Sequence, residues 1–117
     1  MPLCEVKLNF PVVKQASIEL AKALSKGVVT ALGKPEAYMQ VYVQSDVPLT
    51  FGGTDSPAAL VQVSSIGGIS SDQNKKTASF VTQTLKAQFS DLSGDRVYVL
   101  FADIAGANWA QNGKTFG

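Results

Sequence analysis

Histidine is missing from the 117 residues, and cysteine occurs once, as Cys4. Without an imidazole the chain offers no Ser-His or Cys-His nucleophile pair and no histidine metal site. A lone cysteine closes no internal disulfide, so no oxidised framework is expected. Cys4 lies in an alternating apolar run and reads as a small core residue. Charge is scarce as well. Only 16% of residues are charged, and ten basic against nine acidic side chains leave a net +1. That balance argues against nucleic acid and against an acidic membrane surface as partners. No apolar run approaches the ~18 residues of a membrane helix, and no basic-then-apolar leader precedes the first strand pattern. A cytoplasmic protein is the expectation. Phosphate loops are lacking too: Gly52-Gly53 and Gly67-Gly68 fit neither G-x-x-x-x-G-K-[ST] nor G-x-G-x-x-G.

What is present is a 45% hydrophobic chain of single-domain size, expected to form one domain over residues 1–117. Residues 3–8 alternate, with Cys4, Val6 and Leu8 on one side and Glu5 and Lys7 on the other, which predicts a strand. Apolar positions 13, 20, 24, 28 and 31 then follow helical spacing, and Gly33 with Pro35 supplies the stop. Residues 38–44 alternate again, and Pro48 to Thr54 reads as a turn-rich connection with a short edge strand. The second half repeats the plan. Ala58 to Ser65 reads as a strand, and Ser70 with Gln73 makes a capping box. Ala78, Val81, Leu85 and Phe89 mark a helix that Gly94 is expected to break, and Val97 to Ala102 reads as a strand. The tail from Gly106 has room for one or two short strands. Two right-handed β-α-β repeats sharing one four-stranded mixed sheet, with both helices on one face, are therefore expected: an α/β (α+β) fold. The opposite face, with Gln40, Tyr42, Gln44, Gln62 and Ser64 beside Leu60 and Leu100, suits packing against another subunit around a partly wet interior.

The candidate site starts at Met1-Pro2. An initiator Met before Pro is normally trimmed, which would bare Pro2 as a secondary amine at the head of a strand. Free α-amino groups titrate near ~8, and a neighbouring cation or partial burial lowers that value into general-base range. If the first strands of the two halves pair antiparallel, Pro2 lies beside Ser65-Ile66-Gly67, where backbone N–H groups are exposed as the ladder ends. Lys34 precedes a strand parallel to the first and so lies at the same end. An amine, a cation and amide donors would then share one small volume, where the cation both lowers the amine pKa and binds an anion. Tyr98 opens a strand parallel to residues 58–65 and so sits at the far end, ~20 Å away along the strand. It could join only the Pro2 of a neighbouring chain.

Met1-Pro2, Gly33-Lys34-Pro35 with Tyr38, Phe51-Gly52-Gly53, Pro57-Ala58-Ala59-Leu60, Ser65-Ile66-Gly67, Asn74, Asp95-Arg96-Val97-Tyr98 and Thr115-Phe116 resemble the macrophage migration inhibitory factor family, nearly end to end. The resemblance implies a homotrimeric, tautomerase-like barrel with a cofactor-free site at each subunit interface. It implies keto–enol tautomerisation of phenylpyruvate-like and dopachrome-like substrates, small aromatic α-keto acids among them, with Pro2 as the proton shuttle. Lys34 and the Ile66 amide, next to Ser65, would hold the substrate carboxylate. Tyr38 would line the mouth with Trp109 and Phe116 towards the rim, and Tyr98 would come from the adjacent chain.

The sequence departs from that family's pattern in places. Leu100 stands where the family has an asparagine two residues after the site tyrosine. Gln111 stands at the usual tryptophan position, with Trp109 two residues earlier. Ala58 and Val61 replace a Cys-x-x-Cys, so thiol-redox chemistry is not expected. The resemblance also implies a secreted, cytokine-like protein leaving by a leaderless route and engaging a host receptor such as the invariant chain. The alternatives to the enzyme are thus a receptor-binding cytokine mimic with a vestigial site, and a trimeric scaffold without turnover.

Overall fold

The computed structural model describes residues 1–117. Strand β1 (Pro2–Leu8) leads into helix α1 (Lys14–Leu32), a 3-10 turn (Glu36–Tyr38) and β2 (Gln40–Gln44). Strand β3 (Ala59–Ser65) leads into α2 (Ser71–Gln88), a second 3-10 turn (Gly94–Arg96) and β4 (Val97–Asp103). A two-stranded hairpin, β5 (Ala110–Gln111) with β6 (Lys114–Thr115), completes the chain.

The sheet order is β2-β1-β3-β4. β1 pairs parallel with β2 and antiparallel with β3, and β3 pairs parallel with β4. The two repeats thus meet at their first strands, as the strand patterns require. Alternation decides which side is buried. Cys4, Val6, Leu8, Val61 and Val63 face the helices and pack with Leu20, Leu24, Val28 and Leu32 of α1 and Val81 and Leu85 of α2. Gln40, Tyr42, Gln44 and Gln62 remain exposed on the other face, although Ser64 is buried there.

Local chemistry sets the helix ends that matter for the site. Gly33 closes α1 at φ 71°, a left-handed conformation that glycine adopts at little cost. Its N–H donates to Thr30 O at 3.3 Å, and the Lys34 N–H donates to Val29 O at 3.0 Å. The six-to-one bond fixes the Lys34 backbone as the chain leaves the helix. Ser70 caps α2, its Oγ accepting the Gln73 N–H at 3.2 Å. Gln73 Nε2 in turn donates to Leu32 O at 3.2 Å, tying the start of α2 to the end of α1.

The short edge strand expected within Pro48–Thr54 is reduced to an isolated bridge between Phe51 and Thr54, and β1, β3 and β4 differ by one residue at an end. Two boundaries differ by more. α2 stops at Gln88, well before Gly94, because Phe89 turns out of the helix and meets Phe10 edge-on with ring centroids 5.0 Å apart. β2 begins at Gln40, since the residues after Pro35 coil into the 3-10 turn that carries Tyr38.

Candidate active site

Pro2 is fully buried and stands opposite Ser65 in the β1–β3 ladder. Asp103 of β4 extends the same row. The Ser65 side chain is buried and its Oγ has no hydrogen-bond partner. One residue on, the Ile66 N–H donates to Met1 O at 3.3 Å. The donor at the strand exit is therefore taken by the carbonyl of the N-terminal residue.

Lys34 reaches this end from the α1 terminus. Its Nζ lies 3.3 Å from where a Gly67 Cβ would sit, and its Cε 3.4 Å from the corresponding point at Gly68. The missing Cβ atoms are what let the side chain lie across the turn. The Met1 α-amino group is held below its ordinary value, first by partial burial and second by the Lys34 ammonium. The field of Lys34 thus reaches the N-terminus.

A cavity of about 350 Å³ opens beside Pro2, within the range of small-ligand sites. Met1, Pro2, Tyr38, Trp109, Gln111 and Phe116 are among its walls. The C-terminal hairpin brings in the last three. The Phe116 N–H donates to Gly106 O at 3.0 Å and to Trp109 O at 3.1 Å, holding both aromatic residues at the cavity. Lys34 and Ile66 flank the N-terminus without lining this cavity.

Tyr98 is elsewhere. It pairs with Leu60 near the start of β3, at the opposite end of the sheet from Pro2, and is 60% exposed. Its ring leans on Phe51 at a centroid distance of 4.8 Å. Arg96 fixes that loop, donating to the carbonyls of Phe51, Thr54, Ser56 and Pro57 at 3.0–3.2 Å. Within one chain the structure gathers Pro2, Tyr38, Trp109 and Phe116 at the cavity, sets Lys34, Ser65 and Ile66 beside the N-terminus at the same sheet end, and leaves Tyr98 out.

Asp103 and the Met1 carbonyl were missed by sequence reasoning. Asp103 Oδ1 accepts the Gly67 N–H at 3.2 Å, a contact set by a register that no local pattern announces. No three of the Cys, Asp and Glu side chains converge as metal ligands would. The Cys4 thiol is pushed up to about 12 by burial and then by the Glu5 charge, so it is no nucleophile at neutral pH.

The macrophage migration inhibitory factor family model matches residues 1–117. The chain belongs to that family. Among its relatives, a macrophage migration inhibitory factor homolog from Trichuris trichiura is 34% identical over 116 residues, covering 99% of this chain and 100% of that one. Macrophage migration inhibitory factor of Mus musculus is 36% identical over 118 residues, covering 99% of each. Among solved structures, the homologue from Prochlorococcus marinus superposes with a TM-score of 0.91 at 32% identity, over 98% of this chain and 99% of that one. The macrophage migration inhibitory factor family lies within the tautomerase superfamily, which supports isomerase activity as the general class.

Proposed function

We propose that the chain is a cofactor-free keto–enol tautomerase of phenylpyruvate-like and dopachrome-like compounds, working from Pro2 once Met1 is trimmed. The observation that carries this is geometric: Pro2 stands opposite Ser65 at a cavity wall, with the Lys34 side chain laid over the Gly67-Gly68 turn at the same end of the sheet. Trimming moves the amine one residue inward, onto Pro2, where partial burial and the Lys34 charge would act on it as they lower the Met1 amine. It also frees the Ile66 N–H, which Met1 O now occupies. Lys34 and the Ile66 N–H, beside Ser65, would then hold a substrate carboxylate, with the aromatic end between Tyr38, Trp109 and Phe116.

In enolisation the Pro2 nitrogen takes a proton from the carbon next to the ketone. The C–H electron pair becomes the carbon–carbon double bond, the carbonyl π pair moves to oxygen, and the oxygen gains a proton from a water that is restored by the proton Pro2 then releases. Ketonisation runs the same steps backwards, and neither direction needs an oxidant. The open sheet face and the remote Tyr98 support a homotrimer in which Tyr98 serves the site of a neighbour.

The test uses protein whose Met-free N-terminus has been verified by mass. Pro2→Gly should lower kcat/KM for phenylpyruvate by ~100-fold or more, and sedimentation equilibrium should give three times the 12.3 kDa chain mass. Undiminished turnover in Pro2→Gly, or a folded single chain, overturns the proposal.

A second reading is favoured by Leu100, half exposed where the family pattern has an asparagine. On it the protein is a cytokine mimic that leaves the cytoplasm by a leaderless route and binds a receptor such as the invariant chain. Receptor binding that survives Pro2 substitution, without turnover in the parent, would select it.

A further inference from the structure

Two consecutive glycines follow the strand exit at left-handed φ, Gly67 at 74° and Gly68 at 76°. Such a pair has much conformational freedom to lose, so something must fix the direction of its amides. Leu32 O packs against Gly68, where a Cβ would lie 2.7 Å from it, and the end of Lys34 lies over both glycines. These contacts set position by bulk. Within the glycine pair, the Asp103 carboxylate accepts the Gly67 N–H at 3.2 Å.

Asp103 is well placed for this. It is the last residue of β4, in parallel register with Ser65, and the Ile104 N–H following it donates to Ser65 O at 2.9 Å. A carboxylate on a fixed strand end therefore faces the peptide between Ile66 and Gly67. The Ile104 bond to Ser65 O holds the peptide that carries the Ile66 N–H, and Asp103 holds the next peptide, so that Ile66 cannot swivel between them.

We propose that Asp103 is a positioning residue that aims the Ile66 N–H at the carboxylate of an α-keto acid. The inference rests on the tautomerase reading for its substrate. Asp103 also takes the Gly67 N–H away from substrate, leaving Ile66 and Lys34 as the anion donors. Its charge repels the same anion, so an asparagine there keeps the acceptor without the repulsion.

Asp103→Ala and Asp103→Asn are compared in the Met-free protein. Asp103→Ala should raise KM for phenylpyruvate about tenfold with kcat within about twofold, and should speed Gly67 amide exchange about tenfold. Asp103→Asn should bring KM back to the parent value or below it. An unchanged KM in Asp103→Ala, a fall in kcat alone, or no recovery in Asp103→Asn overturns the proposal. A parent without turnover refutes the tautomerase reading instead. The exchange comparison then still decides the clasp, which an unchanged Gly67 amide in Asp103→Ala refutes.

Discussion

Lys34 shows how much one side chain at this end can control. Partial burial lowers the Met1 amine most, and the Lys34 ammonium adds to it by opposing a second positive charge at the N-terminus. Replacing it with alanine removes that repulsion, so the amine of Met-free protein should hold its proton to higher pH. The acid limb of kcat/KM should therefore move upward in pH in Lys34→Ala, with KM for phenylpyruvate raised ~tenfold or more by loss of the anion clamp. A pH–rate profile whose acid limb stays in place would show that Lys34 does not set the amine. The Pro2 and Lys34 pairing was legible because strand direction follows from connection length, and strand direction decides which ends coincide. Asp103 was not legible, because its contact depends on where a two-glycine turn swings in three dimensions. The Met1 carbonyl escaped notice for a similar reason: the sequence says that Met1 precedes a strand, not which donor it meets.

At the scale of elements, α1 and α2 approach closely at Gly27, where an added Cβ would lie 1.9 Å from Phe80 Cζ. Phe80 rests on the bare backbone of α1, and the helix layer that carries Lys34 to the site depends on that fit. Gly27→Ala should destabilise the protein by about 1–3 kcal/mol through overpacking, although alanine is the better helix former. Trimming the ring with Phe80→Ala should remove much of that penalty in a double-mutant cycle of urea midpoints. A Gly27→Ala protein as stable as the parent would show that the helices slide apart freely. The strands and both helix starts were legible from alternation and from caps such as Ser70. The end of α2 was not. Gly94 is the strongest breaker in that stretch, but Phe89 leaves the helix earlier to meet Phe10, a residue far away in sequence. The start of β2 was displaced likewise, as the turn after Pro35 takes up Tyr38.

Across the whole molecule the sheet has one finished face and one unfinished face. The helices cover the first. On the second, Tyr42 Oη of edge strand β2 donates to Glu5 Oε1 at 3.2 Å, while Leu100 and Tyr98 on the opposite edge strand β4 are 50% and 60% exposed. Apolar side chains among polar partners on an open sheet suit a subunit contact, and in the proposed trimer the separation of Tyr98 from Pro2 would give that contact a chemical role. The separation was readable in the sequence because β3 and β4 had to run parallel. What a neighbour would contribute beyond Tyr98 in the proposed trimer was not, since one chain holds only its own residues. The account stands on a bared Pro2 nitrogen that is partly unprotonated near neutral pH. Its direct measurement is the NMR titration of that nitrogen in the intact, Met-free protein. The midpoint should fall below the ordinary α-amino value of ~8. A midpoint at or above that value would contradict the account.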